Sequence, residues 1–509
     1  MLHAAVEDWA SRAPDAPALV CGGTTTTFAQ LADRVARTSA VVAALTEPGD
    51  RVAIIGDNDA TWIDCYYGVP RAGRVLLFLN HRLAVPELAA ILLRARATVV
   101  VGSAADIERV QPLARSFPNV HVLLERERWD AMLAARAPVA SMARRRADTA
   151  WLLYTSGTTG APKGAMLTHG SVLAAVEATS AARPIADDDV YLFPYPLCHI
   201  AGYNVVHHHV RGRPVVVVPR FDAEQVAAEV RARSVTSMSL AATMLAALLD
   251  HLEATGASLP SLRTIAYGAA PMPVSLLRRA ARTLPDVGFA QGYGMTELSG
   301  NAVFLDPAAH RRGLDGDERV LHGAGYAAPG VELRTVDDHD DDVAAGEVGE
   351  ILVRAPQVMS GYWDDLPAST SALKGGWLHT GDIGRLDADG LLTVVDRKKD
   401  LIITGGENVS SLEVEEVLRR HASVADVAVV GVADPQWGEN VCAVVVAAPG
   451  ATVDAGALIA HARIELAGFK VPRHVVVVDA LPVNAAGKVV KAELRDWLAV
   501  NADLVGDRA

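Results

Sequence analysis

Over the first 300 residues, short apolar runs that stop at glycine, proline or charge alternate with stretches rich in alanine, leucine and arginine. RVAIIG (51–56), TVVVG (98–102), HVLLE (121–125), PVVVVP (214–219) and LRTIAYGAA (262–270) read as strands. PELAAILLRARA (86–97) and EQVAAEVRARS (224–234) lie between them and have helical composition. Buried strands separated by helices imply an α/β fold with parallel, doubly wound sheets. From about 325 to 396 the texture shifts to VELRTVDD, EVGEILVRA and LLTVVD with turn residues between, which predicts a small antiparallel or β-barrel-like unit. After DRKKD (396–400) an α+β pattern follows: SLEVEEVLRRH is a helix with a serine cap, VADVAVVGV and VCAVVVAAP are strands, and VDAGALIAHARIEL is a helix.

A chain of 509 residues exceeds what one core can organise, and three structural units are expected. A net charge of -13 argues against a nucleic-acid binder, so any phosphate chemistry must rest on local positive charge. Cys21, Cys65, Cys198 and Cys442 are scattered without C-x-x-C spacing and read as reduced core or pocket residues. The opening MLHAAVEDWASRAPDAPALV is acidic where a signal peptide is basic, and no apolar run reaches membrane-spanning length, so a cytoplasmic protein is expected.

TSGTTGAPKG (155–164) packs three glycines, four hydroxyls and a lysine behind the apolar run WLLY. It is not a Walker loop. Pro162 stands where the second glycine belongs, and Gly164 where a magnesium-binding hydroxyl belongs. Glycines, hydroxyls and successive N–H groups still suit an anion nest, although alone the stretch also fits a flexible hairpin. The chain has only seven lysines among 47 basic residues, and six of them fall in TTGAPKG, DRKKDLIITGGEN and FKVPRHVVVVDALPVNAAGKVVK. Where lysine survives in so arginine-rich a chain, a compact ammonium on a flexible stem is the expected reason.

Five further stretches make the pattern specific: YGAAP (267–271), QGYGMTE (291–297), HTGDIG (379–384), DRKKDLIITGGENVSSLEVE (396–415) and LPVNAAGKVVK (481–491). In this order, across essentially the whole chain, they resemble the adenylate-forming superfamily of acyl- and aryl-CoA synthetases, peptide-synthetase adenylation domains and beetle luciferases. The resemblance implies a large N-terminal domain over 1–397, containing the β-rich unit, and a smaller mobile α+β domain over 398–509. It assigns Thr155, Ser156, Gly157, Thr158, Thr159, Gly160 and Lys163 to the phosphates of ATP. Glu297 and Thr155 would hold Mg²⁺, and Thr296 would reach the α-phosphate. Gly268, Ala269, Ala270, Gln291, Gly292, Tyr293 and Gly294 would frame the adenine, with Asp382 and Arg397 on the ribose.

The implied reaction joins a carboxylate to a thiol through an acyl-adenylate, with ATP and coenzyme A as co-substrates. Its barrier is repulsion between anions and the need for in-line geometry, so positioning and positive charge must be supplied. Lys488 is the expected adenylation catalyst. It lies more than 300 residues from Thr155, so a lid hinged at Lys399 must deliver it. Gly405 and Gly406 would then shape the passage for the thiol arm. Two positions depart from the family pattern. Val483 and Asn484 replace the common Arg/Lys-Thr pair, and LFLNHRL (77–83) lacks a proline before its asparagine.

PLCHIAGYNVVHHHV (196–210) should line the acid pocket, with His199, Ala201, Tyr203, Gly268 and Gly292 around the acid. For His199 a packing role is equally open. The triplet His207, His208 and His209 is expected on a helix surface, because three consecutive residues cannot all face one metal ion. No aspartate occurs in this stretch to hold an amino group, which disfavours amino-acid substrates. Arg211 and Arg213 leave a dicarboxylate open, while the small residues, Gly202 among them, favour a fatty or aryl acid. Free CoA is the leading acceptor. A carrier protein, a reaction that stops at the adenylate, and a nucleotide-binding relative without activity are the alternatives.

Overall fold

The computed structural model describes residues 1–114, 122–142, 144–155, 162–268, 272–404, 407–434, 437–484 and 487–501. The chain forms two compact units. The first comprises 1–333, 353–379 and 389–392, and the second 334–352, 380–388 and 393–509.

The first unit holds two large sheets. A six-stranded sheet runs Val122–Glu125, Ala97–Gly102, Arg51–Ile55, Val75–Leu79, Thr149–Thr155, Lys163–Thr168. Its strands are parallel except for the closing hairpin, in which Lys163–Thr168 returns antiparallel to Thr149–Thr155. A nine-stranded sheet is parallel from Pro17–Cys21 through Val215–Val217, Tyr191–Phe193, Ser237–Ser239 and Thr264–Gly268 to Gly288–Met295. Antiparallel strand Thr24–Thr27 extends it on one side, and Gly300–Leu305 followed by Tyr326–Ala327 on the other. Every residue of Val75–Leu79 is buried, as expected of a strand covered on both faces.

Helix Ala60–Arg71 is buried on all sides after its first residue, the pattern of a helix inside a layered core. Trp62 and Tyr66 pack on Phe78, and Tyr66 also packs on Trp151 at 4.9 Å between ring centroids. Tyr67 faces the other way and bonds His209 Nδ1 at 2.8 Å. Helix Tyr203–Val210 is buried too, which overturns the surface placement of the histidine triplet. His208 stacks on Tyr191 at 4.0 Å, His209 Nε2 meets the Ala18 carbonyl at 3.0 Å, and His207 is fully buried. Layering against both helix Ala60–Arg71 and the nine-stranded sheet leaves this helix no solvent face.

The second unit takes in most of a four-stranded sheet ordered Glu332–Val336, Val348–Arg354, Leu378–Leu386, Leu392–Arg397. It also holds a five-stranded sheet in which Val424–Asp434 and Gly438–Ala447 form a long antiparallel pair. His474–Val478 lies parallel to the second of these. Helix Ser411–Arg419 starts at the expected cap, with Ser410 accepting from the Glu413 N–H. Among the described residues no helix is long and apolar enough to cross a membrane.

Candidate active site

In the first unit the candidate residues gather where the six-stranded sheet ends in its hairpin. Thr155 closes one strand, Lys163 opens the next, and the two are register partners. Glu297 sits in a short 3₁₀ turn, Thr296–Leu298, that follows strand Gly288–Met295. Thr155 Oγ1 donates to Glu297 Oε1 at 3.2 Å, and the Tyr362 hydroxyl donates to the same oxygen at 3.0 Å. Lys163 Nζ lies 5.5 Å from the centre of the Tyr362 ring.

Backbone pairing fixes Tyr362 in place. Met166 N–H donates to the Gly361 carbonyl, Trp363 N–H to that of Gly164, and Met359 N–H to that of Glu297. The segment 359–363 therefore straps the lysine strand to the glutamate turn. Tyr362 was not a sequence candidate, and its only signal was its place in SGYW, inside the β-rich stretch.

Glu297 is only 6% exposed. Among the described residues both donors land on its Oε1 and none on Oε2. No group of three His, Cys, Asp or Glu side chains that could cage a metal occurs among those residues. One carboxylate oxygen beside a threonine hydroxyl fits Mg²⁺, which takes few protein ligands and completes its shell from phosphates and water. Ser156, Gly157, Thr158, Thr159 and Gly160 lie outside the described residues, as do Ala269, Ala270, Gly405 and Gly406.

Strands Thr264–Gly268 and Gly288–Met295 run side by side, with Gly268 opposite Gly292 and Tyr267 opposite Gln291. A side chain at Gly268 would meet the Gly292 carbonyl, and one at Gly292 would meet the Asn301 amide. At Gly294 a Cβ would lie 2.1 Å from the Gly300 carbonyl. These glycines permit close backbone approach at the place where a flat ring is expected. Gln291, Tyr293 and Thr296 are each half-buried on the same strand and turn.

On the acid side, His199 and Ala201 are half-buried, and Tyr203 is buried. Thr179 Oγ1 donates to the Tyr203 hydroxyl at 3.1 Å, and the Tyr203 ring lies against Gly300. Gly202 contributes packing where open room was expected, because a Cβ there would lie 2.0 Å from the Tyr66 hydroxyl. Arg211 is exposed, and Arg213 sits over the Trp9 ring at 5.9 Å. Burial pushes the Cys198 thiol up to about 12, so it is a packing residue at neutral pH.

The second unit carries the remaining candidates. Asp382, 4% exposed on strand Leu378–Leu386, pairs with Arg397 Nε at 2.6 Å. Lys399 is exposed on the turn that follows. Lys488 is an exposed residue overall, yet its ammonium is held below the ordinary lysine range. Desolvation is the largest cause, the Arg397 guanidinium adds to it, and Asp382 opposes both. This coupling sets Lys488 in the same electrostatic neighbourhood as the Asp382–Arg397 pair. The Lys488 N–H donates to Asn484 Oδ1 at 3.0 Å, and the Asn484 N–H returns a bond to the Lys488 carbonyl at 2.8 Å. Asn484, one of the departures from the family pattern, thus closes the lysine loop with its own side chain.

Known proteins resemble this chain over nearly its whole length. The family model described as AMP-binding enzyme matches residues 6–363, and the AMP-binding enzyme C-terminal domain matches 413–488. The chain is 38% identical to a feruloyl-CoA synthase of an Amycolatopsis species, over 96% of each chain. It is 34% identical to the fatty acid–[acyl-carrier-protein] ligase ScoC of Streptomyces coeruleorubidus, over 96% of this chain and 94% of that one. O-succinylbenzoate CoA synthetase (MenE) from Bacillus subtilis, solved with its acyl-adenylate intermediate, superposes with a TM-score of 0.87 at 30% identity, covering 97% of this chain and 98% of that one. With both matched domains in sequence order and near full-length relatives, the chain belongs to the adenylate-forming AMP-binding enzymes, in their acyl-CoA synthetase branch.

Proposed function

We propose that the chain activates a fatty or aryl carboxylic acid with ATP and passes the acyl group to coenzyme A. The carboxylate oxygen attacks the α-phosphorus, the bond to the β-phosphate bridging oxygen breaks, and pyrophosphate leaves. The CoA thiol then attacks the acyl carbonyl, AMP leaves, and the thiol proton passes to solvent. The observation that most supports this reading is the convergence of Thr155 and Tyr362 on one oxygen of Glu297, with Lys163 against the tyrosine ring.

Lys163, Thr155 and the glycine–hydroxyl loop 156–160 hold the departing pyrophosphate, and Thr296 donates to the α-phosphate. Mg²⁺, held by Glu297 and Thr155, would supply charge neutralisation on the phosphate oxygens. Tyr293 stacks on the adenine, Gln291 bonds its amino group, and Asp382 accepts from the ribose hydroxyls beside Arg397. Lys488 bridges the attacking carboxylate and the α-phosphate oxygens, where negative charge accumulates. Its lowered pKa does not discharge it in this role, because the approaching anions favour the ammonium. The lid 398–509 turns about Lys399, withdraws Lys488 and brings Gly405 and Gly406 to the thiol channel.

The feruloyl-CoA synthase relative supports an aryl acid, and ScoC keeps a carrier protein as the alternative acceptor. Four free cysteines agree with a reducing cytoplasmic setting. The test is pyrophosphate release over a panel of aryl and alkyl acids, with no acceptor, with CoA and with holo-carrier protein. Acid-dependent release with thioester formation on CoA is expected. Absence of release with every acid would overturn the reading.

A further inference from the structure

Behind the strands expected to carry the base, two buried side chains and the half-buried Gln291 form a chain whose hydrogens can be counted. His310, 1% exposed on helix Pro307–Leu314, places Nδ1 2.8 Å from the Asp306 carbonyl oxygen. Its Nε2 lies 2.6 Å from the Tyr267 hydroxyl. That hydroxyl also stands 3.2 Å from the side-chain amide of Gln291, the register partner of Tyr267. A carbonyl only accepts, so His310 Nδ1 must carry a hydrogen. Burial holds the ring neutral, with its pKa down to about 4, so Nε2 is bare. The single Tyr267 O–H therefore goes to the imidazole, over the shorter contact.

Gln291 Oε1 faces that same hydroxyl at 3.2 Å, and one O–H cannot satisfy two acceptors. Turned about its last torsion, the amide donates Nε2–H to the phenol oxygen and points Oε1 away from it. A glutamine left to swivel offers either a donor or an acceptor and reads neither kind of purine. One held by Tyr267 offers only the acceptor. We infer that His310 and Tyr267 are positioning residues that lock Gln291 as a hydrogen-bond acceptor, so that the site selects a 6-amino purine over a 6-oxo purine. The inference rests on the reading of Gln291 as the base contact proposed above.

ATP and inosine triphosphate test it, because they differ only at the 6-position and its neighbouring ring nitrogen. Binding of each to the full chain by calorimetry, and kcat/KM for each in pyrophosphate release, give a selectivity ratio. In His310→Leu the Tyr267 O–H is free to turn to Gln291 Oε1, which presents Nε2–H₂ to the base. The preference for ATP should fall by about tenfold, the weight of one buried hydrogen bond. Tyr267→Phe frees the amide and should give an intermediate ratio. A purely structural defect weakens both nucleotides alike and leaves the ratio fixed. Wild type and both variants agreeing within twofold, while wild type still releases pyrophosphate from ATP, would overturn the inference alone. A wild type that binds neither nucleotide would overturn the functional reading and the inference with it.

Discussion

Tyr362→Phe removes one hydroxyl and little else, which makes it a clean probe of the proposed phosphate site. Phenylalanine keeps the ring against Lys163, so the cation–π contact at 5.5 Å survives. The loss is the 3.0 Å bond to Glu297 Oε1, leaving that carboxylate the 3.2 Å bond from Thr155 as its remaining donor among the described residues. A hydrogen bond to a charged group contributes about 1.5–3 kcal/mol. Glu297 is 6% exposed, so water replaces the donor poorly, but Tyr362 is only half-buried and some access remains. About 1.5 kcal/mol is the expected cost, which is roughly a tenfold change. It should show in the Mg²⁺ concentration needed for half-maximal pyrophosphate release and in kcat/KM for ATP, because a misaimed carboxylate holds the cation less well. Binding of Mn²⁺ followed by its electron spin resonance signal, in the presence of ATP, reads the same loss without turnover. If metal dependence and kcat/KM both stay within twofold of wild type, the hydroxyl does not aim Glu297 and its site role is wrong.

Three other outcomes follow from the same physics. Lys488→Ala should abolish pyrophosphate release from acid and ATP yet still convert supplied acyl-adenylate to thioester, while Gly406→Leu should do the reverse; equal loss of both half-reactions in both variants would end the two-state lid. Arg34→Ala strands the fully buried Asp64, its partner at 2.6 Å, and should cost about 3 kcal/mol, whereas Asp64→Asn should cost less because Arg34 keeps 35% exposure and its contact with Asp130; thermal melts that rank the two in the opposite order would refute this. His3, His169, His208, His209 and His310 have folded pKa values pushed down to about 4, 3, 3, 4 and 4, chiefly by burial. With the folded values below the unfolded ones, the unfolded chain binds more protons under pH 6.5, so stability falls as pH drops from there toward 4. The upper bound is about 2 kcal/mol per histidine at pH 5, and a melting temperature unchanged between pH 7 and pH 5 would contradict it.

The parallel strands were legible because burial on both faces writes an unbroken apolar run. Expectations at 98–102 and 262–270 meet strands at Ala97–Gly102 and Thr264–Gly268. The histidine triplet was misplaced for a related reason. Polar composition suggests a solvent face, but a helix wedged between layers must bury whatever it carries, and two of its three imidazoles pay with hydrogen bonds to Tyr67, Ala18 and Asn204. Tyr362 escaped notice because its contact with Glu297 spans 65 residues and depends on strand pairing that no local pattern announces.

The scarcity of lysine shows how far a compositional signal reaches. Lysine was expected where a compact ammonium matters, and the structure divides the group by what surrounds each. Lys398 Nζ serves Asp338 at 2.9 Å and Glu350 at 3.2 Å, and Lys470 Nζ serves Glu413 at 2.7 Å. Lys491, 11% exposed, reaches Glu415 at 2.7 Å and also donates to Ser411, whose N–H and hydroxyl both bond Asp396. A single ammonium that reaches two partners in different directions suits such a junction better than a planar fork. The same reason applies to Lys488 only when anions arrive. Its neighbours Arg397 and Asp382 oppose one another and desolvation lowers its pKa, so in the role proposed above a carboxylate and a phosphate would supply the missing compensation. Lys398, Lys470 and Lys491 are satisfied within the fold, whereas the role proposed for Lys488 assigns its compensation to the substrates.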